Sequence, residues 1–593
     1  MIGGEIMLSF NVSIIKEKDV IKLTDSIAKK TGLVSIKMTL ARFGFAVADI
    51  KVVIDDTLKN EEICISENVI KKLKLPISNK FHLKVKDKEI VFGPYIGIYL
   101  GSGRLNIGWK YERLRSFVKN FDEEINGAMV AFTEKDINYR NLTVDAYCYD
   151  SIRRVWKRQE MPLPSVLHRY GDMNRKVRNR LAVLYGKKLF NYDEMDKWTE
   201  ISALQSNEET KEYIPETILC ENIEQFKDMV SRYSDLYFKP VKGRKGRGIH
   251  RIIKLKDNIF RVTIQAKTSF EEKNFYHIDE LINELQDKIT SGNYIIQKTI
   301  NLTINNRVID FRIRFEKDWN NEWKQSIFAA RVSDLGGVVS NRSAGGGVFD
   351  PYTVLTEHYQ FDPEKANAIM DQLIDVGFKI TKAVESAHLN YGKCAVDLGL
   401  EADGTIYHIE SNVKAPNDLT TRAFEEFEGL DRIGILNSQY AKSLTGFKDN
   451  QLKLEFEVEE EVDTKIKDYH IKGTIVAKDL RGEELEAKIF NLFKQYNLEV
   501  NDILKRKFHI EFRLKVKETE LLKIFKKIQS IDKNNFIRSI LYGKLPIKKR
   551  IKAPSTRLVK ENKKLKKELE KMKKSTSWKI SKPIRVIGKL FRR

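Results

Sequence analysis

Residues 394–412 read CAVDLGLEADGTIYHIESN, and this stretch decides the fold. The pair Asp403-Gly404 stands between two runs in which apolar and polar residues alternate, which is the pattern of a β-hairpin with a two-residue loop. With that loop, Asp397 lies opposite Glu410, and both His408 and Asn412 lie on the same face as these two carboxylates. The reverse face is mostly apolar. The sequence therefore predicts a hairpin that packs one face on a core and presents two facing carboxylates on the other.

The facing carboxylates predict a metal site. Side chains directly opposite each other on neighbouring strands have Cβ atoms ~5 Å apart. Two charged carboxylates at that distance repel unless a cation separates them or one is protonated. Two carboxylates and the amide oxygen of Asn412 suit Mg²⁺, which binds few protein groups and keeps positions for substrate phosphates. The alternative is a solvated polar face of the hairpin, and the register of Asn412 favours the metal.

A glycine-rich loop lies upstream. Residues 236–241 are typical of a strand, the next seven are Lys242-Gly243-Arg244-Lys245-Gly246-Arg247-Gly248, and a second apolar run covers 249–253. Glycines let backbone N–H groups approach a phosphate, and the interleaved cations add charge. Strands on both sides exclude a Walker A loop, which leads into a helix. The segment is therefore either a phosphate-binding flap or an ordinary basic hairpin turn.

Polar side chains also follow a regular pattern on the intervening strands. The apolar run 294–298 ends in Gln297 and Lys298, and the alternation of 310–315 places Arg312 on a polar face. Arg331 lies on a further strand, 327–332, and a second glycine-rich segment, 340–347, contains Asn341. Each cation alone could belong to a solvated strand face. Their clustering ahead of the hairpin favours a shared function.

Length and composition bound the rest of the chain. At about 100–200 residues per domain, 593 residues predict three to five domains. Hydrophobic residues make up 41%, which excludes a wholly disordered chain. No apolar run approaches the ~20 residues that span a bilayer, and no leader sequence is recognisable. The four cysteines are far apart without metal-binding spacing, which fits a reducing compartment, so we expect a cytoplasmic protein.

The positive charge is confined to the C-terminal segment. The formal net charge is +23, but residues 544–593 hold 20 Lys+Arg and 3 Glu and supply +17 of it, so the other 543 residues carry only +6. Because the body carries so little excess charge, we do not expect nucleic acid as a partner.

Changes in pattern along the chain predict five domains. We expect a β-rich domain over 1–90, an α/β domain with a parallel sheet and a helix at 113–124 over 91–215, and the motif-bearing domain over 216–445. An acidic connector, 446–463, opens a small α+β module that ends at 543. Residues 544–593 form the basic tail.

The order of these motifs resembles the ATP-grasp superfamily and, within it, the YheC/YheD spore-coat-associated group. The resemblance covers about residues 90–445. It is carried by Phe92-Gly93-Pro94-Tyr95-Ile96-Gly97-Ile98, the loop Lys239–Ile249, Asp310-Phe311-Arg312-Ile313, Ser340-Asn341 with Gly345-Gly346-Gly347, Asp397 with Glu410-Ser411-Asn412, and Asn412-Val413-Lys414-Ala415-Pro416. It implies an α/β and α+β multidomain fold with an ATP-grasp core.

The resemblance also implies roles for individual residues. Nucleotide binding would fall to the strand, flap and hinge residues Lys239, Lys242, Gly243, Gly246, Gly248, Gln297 and Lys298. The Mg²⁺ ligands would be Asp397, Glu410 and Asn412. The residues nearest the transferred phosphate and the acceptor would be Arg312, Arg331 and Asn341. Gln297 stands where many such enzymes have Glu.

The activity implied is an ATP- and Mg²⁺-dependent carboxylate–amine ligase that acts through an acyl-phosphate. Its partners would be ATP, a carboxylate and an amine, and a homo-oligomer stays open. The basic tail, and not the family resemblance, indicates an acceptor on a cell-envelope, polysaccharide or spore-coat polymer. Two alternatives share the fold: a phosphotransferase, and a non-enzymatic envelope or spore-coat assembly protein.

The basic tail has two parts. Leu558, Asn562, Leu565, Leu569 and Met572 follow heptad spacing, which predicts either a short coiled coil or a single charged helix. The segment around Trp578 resembles a tail found on bacterial glycosyltransferases and other surface-polysaccharide enzymes, and it combines an apolar face with Lys and Arg. Such a segment favours an anionic membrane surface over nucleic acid.

We therefore expect that deleting residues 544–593 abolishes co-sedimentation of the protein with vesicles rich in phosphatidylglycerol. The attraction is electrostatic, so binding by the full chain should also weaken as salt rises. Vesicles of phosphatidylcholine alone serve as the control. Unchanged binding by the shortened chain would contradict the membrane assignment.

Overall fold

The computed structural model divides the chain into a unit of Met1–Gly543 and a unit of Lys544–Arg593. The basic tail predictions lie outside the described residues. The structure describes residues 9–59, 62–102, 114–192, 195–243, 248–265, 270–335, 346–387, 391–413, 427–447, 452–456, 469–477, 483–496, 500–506, 509–516, 518–531 and 537–544.

A closed barrel forms the N-terminal part. In spatial order its eight strands, counted over the described residues, are Ser9–Ile15, Leu452–Phe456, Phe81–Lys86, Glu89–Gly93, Met38–Phe43, Ala46–Ile54, Val20–Leu23 and Glu62–Ser66. Ala48, Ile50 and Val52 are buried while their chain neighbours are not, which is the period of two that a strand with one buried face requires. The connector predicted at 446–463 thus contributes a barrel strand, a long-range pairing that local composition does not reveal.

The second part is a mixed sheet that we call the central sheet. Its strands, as far as the structure describes them, are in spatial order Leu189–Phe190, Val166–Arg169, Tyr95–Tyr99, Ala128–Phe132, Thr143–Asp150, Val155–Pro162, Ile537–Lys544, Tyr469–Ala477, His509–Val516 and Val500–Arg506, with Ile137–Asn138 beside Thr143–Asp150. The parallel sheet predicted for 91–215 is wrong in part, because Thr143–Asp150 runs antiparallel to both of its main neighbours. The helix predicted at 113–124 is also interrupted: an α-helix, Leu114–Phe117, is followed by a π-helical turn, Phe121–Ile125.

The predicted C-terminal module has the order β-α-β-β-α-β. Its strand order places the fourth strand beside the first and the third beside the second, which is a split β-α-β arrangement. The strand Val500–Arg506 is an addition to the prediction. The module continues the central sheet, because Trp156 pairs with Leu541 and Lys157 with Tyr542.

Two further sheets carry the motifs. Sheet I has the spatial order Thr217–Cys220, Tyr294–Lys298, Asp235–Pro240, His250–Lys254, Phe260–Gln265 and Phe270–Phe275 among the described residues. Sheet II has the order Gly347–Phe349, Trp323–Val332, Arg307–Lys317, Lys393–Leu400 and Ile406–Asn412, with Thr303–Ile304 on Arg307–Lys317. The strands predicted at 236–241, 294–298, 310–315 and 327–332 are confirmed within one residue or as parts of longer strands.

Helices cover the sheets. The described α-helices are Asp25–Thr31, Glu67–Leu73, Leu114–Phe117, Arg175–Tyr185, Lys197–Gln205, Ile223–Arg232, Ile278–Ile289, Pro351–Glu357, Pro363–Ala387, Phe427–Thr445, Glu483–Gln495 and Glu518–Ile531. Pro363–Ala387 buries residues at helical spacing, from Ala366 through Leu373 to Ile380, against the apolar face of sheet II. None of the described helices is both long enough and apolar enough to cross a bilayer.

We expect Gly434→Ala to destabilise the fold. A Cβ atom at Gly434 would lie 2.3 Å from the backbone carbonyl of Ser116, so the helix Phe427–Thr445 must shift. Such overpacking costs about 1–3 kcal/mol, measurable as a lower midpoint of urea unfolding. Arg432→Ala, at an exposed position of the same helix, should change stability by less than about 0.5 kcal/mol. Equal midpoints for the two variants would contradict the close approach.

Candidate active site

The hairpin at 393–412 places Asp397 directly opposite Glu410, and Ala395 opposite Asn412, as predicted. The turn differs from the prediction. Glu401 N–H donates to the carbonyl of Thr405 at 2.9 Å, so the loop holds three residues, with Gly404 at φ +102°. Next to this longer loop the pairing is shifted by one residue, so Leu398 pairs with His408. A β-bulge at Ile409 then restores the predicted register from Asp397 and Glu410 onward.

The bulge changes the surroundings of His408. The prediction placed His408 on the face of Asp397 and Glu410, whereas its Nε2 lies 3.0 Å from Ser411 Oγ and 3.1 Å from Glu200 Oε1. His408 and Glu200 are both buried. His408 therefore pairs with the helix Lys197–Gln205 and not with the carboxylate face.

Asp397 is held by two guanidinium groups. Arg312 on the neighbouring strand donates through Nε and a terminal nitrogen to the two carboxylate oxygens, at 2.7 and 2.6 Å. Arg331 donates to Asp397 at 2.9 Å and binds Asp310 through Nε at 2.9 Å. Asp397 is 1% exposed. The two arginines and two aspartates thus form one buried network on the polar face of sheet II.

The network fixes the charge of Asp397. Burial acts to raise the pKa of Asp397, but Arg312 and Arg331 outweigh it and lower that pKa to about 2. Burial likewise acts to lower the pKa of Arg312, and Asp397 raises it by more. Asp397 is therefore a carboxylate at neutral pH although it is out of contact with water.

Glu410 and Asn412 occupy the outer strand of the same face. Glu410 is exposed, and Asn412 Nδ2 donates to Glu410 Oε1 at 3.2 Å, which leaves the amide oxygen for another partner. Within the described ranges no group of three or more His, Cys, Asp or Glu side chains is placed to hold a metal. The predicted set has two carboxylates and one amide oxygen, and this oxygen-only donor chemistry fits Mg²⁺.

Sheet I contributes the lysine Lys239 to the candidate site. Lys239 Nζ donates to Gln297 Oε1 at 2.7 Å, and Gln297 Nε2 donates to Thr217 Oγ1 at 2.7 Å. Burial lowers the pKa of Lys239 to about 8, helped by Lys197, while Glu410 acts to raise it. Gln297 supplies a neutral oxygen and not a countercharge, so the lysine is held in place but only partly stabilised as a cation.

Gln297 and Lys298 face opposite sides of sheet I. Gln297 shares a face with Lys239, whereas the Nζ atom of Lys298 lies 5.6 Å from the ring centroid of Tyr233 on the other face. The backbone N–H of Lys298 donates to the carbonyl of Glu216. Of these two predicted hinge residues, only Gln297 presents its side chain beside Lys239.

The glycine loop meets the helix that precedes sheet I. Lys197 Nζ donates to the carbonyl of Gly243 at 3.1 Å, and burial lowers the pKa of Lys197 while Glu410 acts to raise it. Lys242 is exposed next to this contact, and Gly248, at φ +73°, ends the loop. The predicted residues Gly246 and Asn341 lie outside the described residues.

The structure thus brings together Lys239, Gln297, Arg312, Arg331, Asp397, Glu410 and Asn412. Lys197 and Asp310 join them without having been predicted as site residues. Asp310 could have been found, because it shares the alternating polar face with Arg312. Lys197 lies on a helix, Lys197–Gln205, that is distant in sequence from the hairpin, and no local pattern marks it.

Residues 186–444 match the model of the YheC/D like ATP-grasp family. This segment is a YheC/D-like ATP-grasp domain, as the motif order had indicated. The expected fold class, an α/β and α+β multidomain chain around an ATP-grasp core, is thereby confirmed.

The chain is also similar to a curated protein. It is 22% identical over 369 residues to the endospore coat-associated protein YheD of Bacillus subtilis (strain 168), which corresponds to 59% of this chain and 79% of YheD.

Solved structures with some similarity include a D-alanine–D-alanine ligase from Bacillus anthracis complexed with ATP, at 14% identity and a TM-score of 0.32, covering 60% of this chain and 99% of that one. An ADP complex of N5-carboxyaminoimidazole ribonucleotide synthetase has 12% identity and a TM-score of 0.33, covering 76% and 98%.

We expect Gln297→Glu to raise the pKa of Lys239, because a carboxylate in place of the amide oxygen stabilises the charged lysine. The measurement is the pH dependence of Lys239 acetylation, followed by mass spectrometry. In the unaltered protein, reactivity should rise through a midpoint near pH 8, and in the variant it should rise at higher pH. Lys242, which is exposed, is the internal control. An unchanged midpoint would show that Gln297 does not set the charge of Lys239.

Proposed function

We propose that this protein is an ATP- and Mg²⁺-dependent carboxylate–amine ligase that forms an amide through an acyl-phosphate. The observation that carries the proposal is that Lys239 and Lys197 lie near Glu410 of sheet II, which stands directly opposite Asp397. Glu410 acts electrostatically on both lysines. Phosphoryl transfer depends mainly on positioning and charge neutralisation, and this arrangement supplies both.

Lys239 and Lys197 would hold the nucleotide phosphates. An anionic phosphate between them would relieve the burial cost that lowers the pKa of each lysine, so the lysines would become fully charged on binding. Gln297 would fix the direction of Lys239. Lys242, Gly243, Gly246 and Gly248 would form the flap over the phosphates, and Lys298 stays a candidate hinge residue at the end of its strand.

Asp397, Glu410 and Asn412 would hold Mg²⁺, which when bound neutralises phosphate charge and orients the β- and γ-phosphates. Arg312 and Arg331 keep Asp397 ionised and fix its orientation through their hydrogen bonds. Their remaining N–H groups are available for the phosphate that is transferred. Asn341 stays a candidate for contact with the acceptor.

The reaction balances in two steps. A carboxylate oxygen of the substrate attacks the γ-phosphorus of ATP, the bond to the bridging oxygen breaks, and ADP leaves with an acyl-phosphate formed. The amine nitrogen then attacks the acyl carbon, inorganic phosphate leaves with the electron pair of the carbon–oxygen bond, and the amine loses a proton. No nucleophile from the protein is needed.

The name of the similar Bacillus protein refers to the endospore coat. It supports, as part of this proposal, an acceptor on a spore-coat, polysaccharide or cell-envelope polymer. A cytoplasmic enzyme whose basic tail contacts the inner face of the membrane would meet such precursors during assembly.

We expect the protein to consume ATP with hydroxylamine as the amine and to form hydroxamates from a suitable member of a panel of amino acids, dicarboxylic acids and uronic acids. Asp397→Asn and Glu410→Gln should each lower this rate by at least about 100-fold, because phosphate charge is no longer neutralised. Glu401→Gln is the matched control, since it removes a carboxylate from the same hairpin but keeps the oxygen that accepts from Asn301 N–H.

The product distinguishes the alternatives. A stable phosphorylated product in place of hydroxamate would favour the phosphotransferase. Absence of Mg²⁺-dependent ATP consumption across the panel, together with absence of MgATP binding by calorimetry, would favour a non-enzymatic assembly protein.

A further inference from the structure

A cavity of about 630 Å³ lies between the barrel, the end of the helix Arg175–Tyr185 and the end of the helix Phe427–Thr445. Residues of the barrel and of both helix ends line the cavity. None of these lining residues belongs to the candidate active site. Its volume lies within the range of small-molecule sites.

The wall of this cavity carries an excess of positive charge. Arg42, Lys84, Lys86 and Lys188 line it together with Asp87 and Glu89. Arg42 is already neutralised, because it donates to both oxygens of Glu89, at 2.6 and 2.9 Å. Three lysines therefore share the single remaining carboxylate of the cavity wall.

Two contacts fix the position of the Lys84 side chain. Its Nζ atom donates to the carbonyl of Thr445 at 2.8 Å and lies 4.2 Å from the centroid of the Phe447 ring. A Cβ atom at Gly446, which has φ +76°, would lie 2.9 Å from the same nitrogen, so glycine leaves the room that the ammonium group occupies. The lysine is half-buried, with its charged end fixed against the cavity wall.

The three lysines act on one another unfavourably. Burial, followed by the charges of Lys188 and Lys86, lowers the pKa of Lys84 to about 8. Burial, Lys86 and Arg42 likewise lower the pKa of Lys188. An anion between them would reverse both effects. Tyr185 also lines the cavity, and its buried hydroxyl has no hydrogen-bond partner among the described residues.

We propose that this cavity is a second binding site, separate from the ATP-grasp site, for a small molecule that carries at least two negative charges on phosphate or carboxylate groups. Phe45, Leu184, Val91 and Leu444 give the cavity apolar wall as well, so the ligand has an organic body beside its anionic group. The site does not depend on the ligase activity proposed above.

The test uses the full chain with Lys239→Gln, which weakens anion binding at the ATP-grasp site. Inorganic pyrophosphate and citrate are the two probes, and each is titrated by calorimetry and used in competitive acetylation at pH 7. We expect one or both to slow acetylation of Lys84 and Lys188 by at least about 5-fold, while Lys71, exposed on the helix Glu67–Leu73, is unaffected. Protection by pyrophosphate alone identifies a phosphate ligand, and protection by citrate alone identifies a carboxylate.

A pair of matched variants completes the test. Lys84→Gln with Lys188→Gln should weaken binding of the effective probe at least 10-fold, whereas Lys37→Gln with Lys71→Gln, which removes the same charge from lysines outside the cavity wall, should change it less than 2-fold. The proposal is overturned if neither probe protects Lys84 and Lys188, or if both pairs weaken binding equally. The acetylation result decides the matter even if the first pair fails to fold.

Discussion

Asp397 is a buried carboxylate that stays charged because Arg312 and Arg331 donate hydrogen bonds to it. The rest of the candidate site depends on this group. Removing one partner of a buried ion pair leaves an uncompensated charge and costs about 3–5 kcal/mol. The strands Arg307–Lys317, Trp323–Val332 and Lys393–Leu400 must therefore stay in register for the network to exist, and that register also fixes Glu410 and Asn412 beside it.

The two sheets differ in how far their charged side chains are neutralised by partners. On its polar face sheet II sets two aspartates against two arginines, and Glu410 lies beside them as an exposed carboxylate. The sheet I side presents Lys239 and Lys197, whose burial is not offset by a bonded carboxylate in the described part of the chain. A neutral glutamine at position 297 is consistent with this difference between the sheets, because it orients Lys239 without neutralising its charge. In the proposed function both lysines would therefore be left to bind an anionic phosphate.

Much of this was predictable from the sequence, and the failures have physical causes. The alternation around Asp403-Gly404 predicted that Asp397 faces Glu410, although the loop has one residue more than expected and the bulge at Ile409 compensates for it. Short-range patterns do not encode such a bulge, so the predicted position of His408 on the carboxylate face was wrong. The strand alternation could have separated Lys298 from Gln297. The partnership of Lys197 with Gly243, and of Glu200 with His408, arises only when distant segments pack.

The barrel has a consequence for how the chain is made. Its strand Leu452–Phe456 lies between Ser9–Ile15 and Phe81–Lys86. Residues 94–451 must therefore be synthesised before the other seven strands can close into a barrel. At the ribosomal rate of about 5–20 residues per second, this delay lasts roughly 20–70 s. During that interval two strand edges stay unpaired, and such edges invite pairing with other chains. Until the ring of strands is closed, a nascent chain of this protein therefore exposes two unpaired edges, and faster synthesis shortens that exposure.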